Sequence, residues 1–594
     1  MNSRLSQETT ATALNDTFIN FQTEKMVRHS TDEQRSRRSS NTPNGLLLSV
    51  EPADDPTPSP QQPSMRPPRS RRPDHHKMPS TIPPEHKHRT LVLCFDGTGD
   101  QFDADNSNVV QLCSLLKKED RSKQMVYYQA GIGTYTKVAT PVMSKISKAV
   151  NMMIAADLDS HVMEGYEFLM QNYTAGDRIC LFGFSRGAYT ARSLAGMLYK
   201  VGLLPADNFQ QVPFAYKMYT RVDELGWEQS TAFKEAFSRE VTIDFLGVWD
   251  SVESVGLISK RLPFTTTNNI VRTFRHALSL DERRAKFKPY LWSPKDHSRE
   301  PRNLSRPVRS TSYRNSTQSS ALLRHSSKSP SQRASPLPSF EWESTEDKQL
   351  SEHEETFSLH SHDFRETDVQ EVWFAGCHCD VGGGSVKNGT HHSLARVSLR
   401  WMIRECFKAE TGIMFDTERL KFIGLDPSTL YPFVIPRAAR LSASGDAHTI
   451  QQLPQKPTLW HRIRQMASKR SASTHSSVDV KHVQKENGTA HLSEEEEELH
   501  DALAAKYDQL KIRPPWWILE IIPMQFRYQR KRDEWVTCFG SNWANPRIIP
   551  EEGKLLVHRS VKTRMEAKKI RSNGKPGKYM PKAQFEAIPH SWVD

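Results

Sequence analysis

The sequence contains no run of 18 apolar residues able to span a bilayer as a helix, and no charged-then-apolar signal stretch opens it. A soluble cytoplasmic protein is therefore expected, with room left for peripheral membrane contact. Cysteine is scarce: the seven residues, an odd number scattered from Cys94 to Cys538, exclude a disulfide framework and point to a reducing compartment. Apolar residues make up only 36% of the chain, against 36 prolines, so a globular core diluted by disordered stretches is expected. The net charge of +12 favours anionic surfaces, yet much of the basic charge lies in tails and inserts, and no nucleic-acid partner is expected. Two ligand fingerprints are also incomplete. Gly131-Ile132-Gly133 lacks the third glycine of a dinucleotide loop, and Asp96-Gly97-Thr98 has Cys94 where an aspartyl-nucleophile phosphatase carries its first Asp.

What the sequence does have is centred on Arg178 to Arg192, RICLFGFSRGAYTAR. Ile179 to Phe184 is predicted as a buried strand, and a helix is predicted from Gly187, with Ala188, Ala191, Leu194, Ala195 and Leu198 at helical spacing. Between them Gly183-Phe184-Ser185-Arg186-Gly187 matches G-x-S-x-G. In such an elbow the serine sits on a strained strand-to-helix turn, and the glycines keep Cβ atoms away from the neighbouring strand and helix. The helix start aims amide N–H groups and a positive dipole end at the same point.

Two further strand ends carry chemistry. Val241 to Trp249 is predicted as a strand ending at Asp250, and Val372 to Ala375 as one ending in the loop Gly376-Cys377-His378-Cys379-Asp380-Val381-Gly382-Gly383-Gly384. Serine needs a base to take its proton and an acid to hold that base in one tautomer. Ser185, Asp250 and His378 follow the chain order of α/β-hydrolases, each at the carboxyl end of its own strand. The expected oxyanion hole joins the backbone N–H of Arg186 to one from the Gly97-Thr98 turn, which follows a strand at Leu91 to Phe95. His558, after the apolar run Lys554 to Val557, is the competing base. The adjacent Cys377, His378 and Cys379 cannot by themselves wrap a tetrahedral ion, so neither metal nor cofactor is expected.

Strands and helices alternate from Arg89 onward. Helices are expected at Asn108 to Lys117, Ile154 to Tyr173, Phe214 to Leu225, Ser230 to Arg239, Arg275 to Lys288 and Ser393 to Lys408. His276 and Asp281 are expected on the fifth as surface or packing residues. The fold class is α/β: an α/β-hydrolase-like, mostly parallel sheet flanked by helices, with a long disordered tail and inserts. Residues 1–87 are the expected tail, 88–440 the catalytic domain with a disordered insert at 296–368, 441–510 a low-complexity linker, and 511–594 a C-terminal segment packing on the core. Glu494 to Glu498 is expected as a solvated charge run. Pro514 to Met524, PPWWILEIIPM, is expected to pack on the core, with insertion into a lipid interface as the alternative.

FDGTG at Phe95 to Gly99, GFSRGAYTAR at Gly183 to Arg192, GVWDSV at Gly247 to Val252, HALSLDERR at His276 to Arg284 and the GCHCDVGGG loop together resemble the α/β-hydrolase family of type VI secretion phospholipase effectors and related proteins of unknown function. The resemblance spans roughly Arg89 to Lys408. It implies Ser185, Asp250 and His378 as catalytic residues and an ester or lipid acyl substrate. The sequence departs from the family's pattern at KISKAVNMM before the Ile154 helix and at Asp100, where Asn is more usual. A serine hydrolase cleaving a carboxylic ester is thus the expected function, and a catalytically silent hydrolase-fold scaffold, recruiting partners through its inserts, is the alternative.

Overall fold

The computed structural model describes residues 78–97, 100–131, 143–252, 261–293, 340–343, 345–359, 366–444, 448–453, 492–531, 534–550, 553–570 and 575–594. The tail expected at 1–87 lies almost wholly outside them.

Eight strands form the central sheet: β1 (Thr90–Phe95), β2 (Gln124–Gln129), β3 (Arg178–Phe184), β4 (Ile243–Trp249), β5 (Val271–Ser279), β6 (Asp368–Phe374), β7 (Leu555–His558) and β8 (His590–Val593). Their order is β8-β7-β6-β5-β4-β3-β1-β2, and every neighbouring pair is parallel. The sheet is α/β-hydrolase-like, as expected, and helices cover both faces. Strands buried on both faces read as near-continuous apolar runs, and the side-chain period of two divides each run between two cores. Leu91, Leu93 and Phe95 face one core with α2 (Met143–Asn172), α3 (Arg186–Val201), α4 (Val212–Thr220) and α5 (Glu224–Phe237). Val92 and Cys94 face the other, with α1 (Asn108–Leu115) and α7 (Leu394–Lys408); between them in sequence lies the short α6 (His378–Gly382).

Register brings the strand ends level. Phe184 pairs with Trp249, Trp249 with Ala277, and Ser279 with Phe374, so the residues that follow β3, β4 and β6 emerge along one edge. From β1 the chain crosses outward to β2 and then back to β3, making β1/β3 the switch point where open parallel sheets leave a crevice.

Four expectations are corrected. Arg275 to Lys288 does not begin a helix: residues 271–279 are the inner strand β5, with Arg275 and His276 buried. Their polarity is absorbed by partners, since Arg275 donates to Glu405 (2.6 Å) and Asp368 (2.6 Å) and His276 lies 3.0 Å from Glu371. Within the insert expected at 296–368, Phe340–Glu343 forms a strand beside Trp535–Gly540, and Thr345–Leu359 forms a helix. Leu350 and Phe357 of that helix pack in a cluster with Trp227 and Phe264. Most of the glutamate run is not solvated, Glu496 alone being exposed. It opens α8 (Glu494–Leu503), where Glu494, Glu497 and Glu498 are buried, Glu494 against Arg404 and Glu498 against Arg437 and Arg559. The C-terminal segment does more than pack on the core, since it supplies β7 and β8 to the sheet itself.

Candidate active site

Ser185 adopts φ 57° and ψ −120° between β3 and α3, a left-handed conformation costly for a residue with a Cβ. The flanking glycines have measurable reasons. A Cβ on Gly183 would lie 2.5 Å from the Gly187 carbonyl oxygen, and one on Gly187 would lie 2.3 Å from the Asp96 carbonyl oxygen. Any side chain at either position would push α3 off the sheet. Ser185 N–H is anchored to the Trp249 carbonyl at 3.0 Å, so the elbow is tied to the strand that delivers Asp250.

The three residues singled out in the sequence meet. Ser185 Oγ lies 2.8 Å from His378 Nε2, and His378 Nδ1 lies 2.6 Å from Asp250 Oδ2. All three are buried. His378 is the first residue of α6, whose start is fixed by a capping box in which Asp380 Oδ2 accepts from Cys377 N–H at 2.8 Å. The His378 N–H donates to Glu282 (3.2 Å), and the imidazole is held between the rings of Phe184 and Phe287, with centroids 4.7 and 4.8 Å away.

Asp250 has partners that no sequence pattern announced. Arg547 grips its carboxylate with both guanidinium nitrogens, at 2.5 Å to Oδ1 and 2.8 Å to Oδ2, and the Ser279 N–H donates to Oδ1 at 2.8 Å. Burial would raise the Asp250 carboxyl, but the Arg547 charge and the His378 hydrogen bond hold it far below the usual carboxylate range. A carboxylate of that kind only accepts, so the His378 proton resides on Nδ1 and Nε2 presents its lone pair to the serine hydroxyl. Burial lowers the imidazole pKa, more than the adjacent Asp250 raises it, and the Arg284 charge adds to the lowering.

A second ring of buried polar groups holds these three. His276 Nε2 accepts from the Ser251 N–H at 3.0 Å, which leaves Nδ1–H to donate to Glu371 and fixes the backbone just after Asp250. Glu282, which receives the His378 N–H, is itself forked by Arg284, and Arg284 stacks on Phe287 with its guanidinium carbon 3.5 Å from the ring centroid. Sequence reasoning missed Arg547, His276, Glu282 and Arg284 as site residues. Three of them sit in the HALSLDERR motif, which is legible as a motif but whose pattern predicts a helix carrying surface or packing residues. Arg547, in the C-terminal segment, had no local signal at all.

Of the oxyanion-hole candidates, Arg186 is the first residue of α3, where backbone N–H groups have no intrahelical partner. Gly97 follows β1 beside Phe184, and Thr98 lies outside the described residues. His558 is not brought to the serine. It caps α10 (Arg559–Glu566), stacks on Phe374 with centroids 4.8 Å apart, and burial lowers its pKa to about 3. Cys377 and Cys379 are free thiols, and the Cys377 thiol donates to the Asp281 carbonyl.

The family model described as T6SS, phospholipase effector Tle1-like, catalytic domain, matches residues 89–405. The chain is 30% identical to the uncharacterized protein YEL023C of Saccharomyces cerevisiae over 537 residues, which are 78% of this chain and 77% of that one. Among solved structures, an uncharacterized protein from Pseudomonas aeruginosa aligns with 58% of this chain at 16% identity and a TM-score of 0.28. The Tle1 effector bound to the VgrG spike of the Type 6 secretion system aligns with 34% at 15% identity and a TM-score of 0.20. These alignments span about half the length of each solved chain, 48% and 47%. With more than half of its residues matched by the family model, the chain belongs to the Tle1-like family of type VI secretion phospholipase effectors, and residues 89–405 match the family's catalytic domain.

Proposed function

We propose that the protein is a serine hydrolase that cleaves a lipid acyl ester, with Ser185 as nucleophile, His378 as general base and acid, and Asp250 as the carboxylate that orients the imidazole. The observation that carries this reading is the hydrogen-bonded chain from Ser185 Oγ through His378 to Asp250, set on a strained elbow at a parallel-sheet switch point. Ser185 Oγ attacks the acyl carbonyl while Nε2 takes its proton. The ester C–O bond breaks, the alcohol leaves with that proton, and a covalent acyl-serine remains. Water, deprotonated by the same Nε2, then releases the fatty acid. Negative charge on the carbonyl oxygen is met by the Arg186 N–H at the helix start and by the segment after β1.

A lipid substrate is further supported by the surface beside His378. Phe287, edge-to-face with the imidazole, continues to Trp516 at 5.7 Å between centroids, and Trp516 leads into α9 (Trp517–Ile521). Ile518, Ile521 and Ile522 around that helix are about half exposed, and Lys511 and Arg513 flank it in solvent. An apolar rim with basic neighbours suits an anionic bilayer from which an acyl chain could be drawn.

Labelling of the full-length protein with a fluorophosphonate probe tests the reading. Wild type should react at Ser185, and Ser185→Ala should lose both labelling and release of fatty acid from phospholipid vesicles. Folded wild-type protein that resists the probe, beside a reactive control hydrolase, would instead favour a catalytically silent scaffold.

A further inference from the structure

Away from the serine, the loop before α7 and the face of α8 that meets it bring together three histidines and two carboxylates. His391 and His392 close the loop, and Glu497, His500 and Asp501 follow one another on α8 as Glu-x-x-His-Asp. One donor atom each from His391, His392 and Glu497 lie within 4.8 Å of one another. The rings of His392 and His500 are 4.9 Å apart. We propose that this cluster is a divalent transition-metal site, of the kind that takes Zn²⁺, with His392 Nδ1 and Glu497 as its central ligands, His391 completing it from the solvent side and Asp501 beside it.

The argument begins with one atom. His392 Nδ1 is buried and has no hydrogen-bond partner among the described residues. It nevertheless faces Glu497 Oε2 at 3.6 Å and Asp501 Oδ1 at 3.5 Å. These separations are long for hydrogen bonds. They match the edge of a tetrahedron about an ion held at roughly 2.1 Å from each ligand, which is about 3.4 Å. His392 Nε2 lies 3.1 Å from His391 Nδ1; with the proton on Nε2 this contact aims the Nδ1 lone pair at the carboxylates, and the exposed His391 ring must give the contact up to bring its own lone pair to the ion. With a proton on Nδ1 the contact is a loose ion pair to the two carboxylates; with the lone pair there, the oxygens repel it until a cation sits between them.

The surroundings resemble the outer shell of a metal centre. Glu497 Oε2 accepts from Arg396 at 3.0 Å, Asp501 Oδ1 from the Ser393 N–H at 2.9 Å, and Asp501 Oδ2 from Arg400 at 2.6 Å. Such bonds orient ligating carboxylates through one lone pair while leaving another free. Two arginines already balance the two acids, so the site draws its selectivity from imidazole nitrogen, not from surplus negative charge. That favours Zn²⁺, Ni²⁺ or Cu²⁺ over Ca²⁺ or Mg²⁺. A bound ion would staple the loop leading into α7 to α8, whose sequence lies about a hundred residues further on.

The test uses full-length protein, stripped with chelator and titrated with Co²⁺ followed by visible absorption, then with Zn²⁺ in competition. The expected result is one equivalent of Co²⁺ giving a tetrahedral nitrogen–oxygen spectrum without thiolate charge transfer, displaced by Zn²⁺ and not by Mg²⁺. His392→Ala and Glu497→Gln should each weaken binding at least tenfold, and Zn²⁺ should raise the Tm of wild type but not of His392→Ala. His391 is exposed, so His391→Ala reports on the ligand without risk to the fold. Three results would overturn the proposal: no saturable binding at 100 µM metal, meaning that a proton alone fills the gap; a thiolate spectrum, placing the ion on free cysteines; or equal affinity in wild type and the His391→Ala/His392→Ala double variant.

Discussion

Arg547 offers the sharpest test of the site's electrostatics. Arg547 Nη2 and His378 Nδ1 both bind Asp250 Oδ2, at 2.8 and 2.6 Å, so they are at most about 5.4 Å apart. At an effective dielectric of about 20, two unit charges at that separation repel by roughly 3 kcal/mol, equivalent to about two pH units. Arg547 therefore opposes formation of the His378 imidazolium, while Asp250 favours it. In Arg547→Met the carboxylate acts unopposed, the imidazolium becomes easier to form, and the acid limb of kcat/KM should move up by about one to two pH units on a short-chain soluble ester. The sign follows from the base needing to be neutral: a raised imidazole pKa removes activity at the low-pH side. The same change breaks a buried ion pair, so unfolding free energy should fall by roughly 3–5 kcal/mol near neutral pH. In wild type that contribution is present above the ordinary carboxylate range and is lost only as pH falls toward the depressed value of Asp250. Arg547→Lys keeps the charge but not the two-pronged geometry, so it should keep the acid limb and still lose stability. Superimposable acid limbs for wild type, Met and Lys variants, in protein with native near-UV dichroism, would refute the reasoning.

Other expectations follow from neighbouring contacts. His378→Ala should reduce ester turnover by about 10⁴-fold or more, whereas His558→Ala should stay within a few-fold, measured side by side on a soluble ester. Burial, then the charges of Asp96, Asp103 and Asp105, raise the Asp100 pKa to about 7. The folded value lies above the unfolded one, so wild-type stability should fall between about pH 4 and 7. Asp100→Asn should remove that fall and gain at least about 1 kcal/mol above pH 7.5, read from denaturant melts. Ile518→Asp with Ile521→Asp should lower hydrolysis of anionic phospholipid vesicles by about tenfold or more while leaving a soluble butyrate ester untouched; equal losses on both would mean that the helix supports the core instead.

Much of the candidate site was legible because its constraints are local. Gly183 and Gly187 are demanded by carbonyl oxygens a few residues or one strand away, and Ser185, Asp250 and His378 each follow a short apolar strand whose pattern needs no partner to be recognised. The errors came where a long-range partner changed the meaning of a polar residue. Arg275 and His276 look like the wet face of a helix until Glu405, Asp368 and Glu371 turn them into interior residues of a strand. Glu494, Glu497 and Glu498 look solvated until arginines from α7, α10 and the segment after α7 reach them.

The sequence by itself determined the elbow, the strand-then-turn placement of the three residues and the α/β alternation, since sterics and side-chain periodicity act over a few residues. Only the tertiary structure decided that Arg547, 297 positions beyond Asp250, closes on its carboxylate, that the last forty residues complete the sheet, and that His392 faces α8. Charge pairing and strand addition are selected by proximity in space, and proximity between distant segments is a property of the folded chain alone.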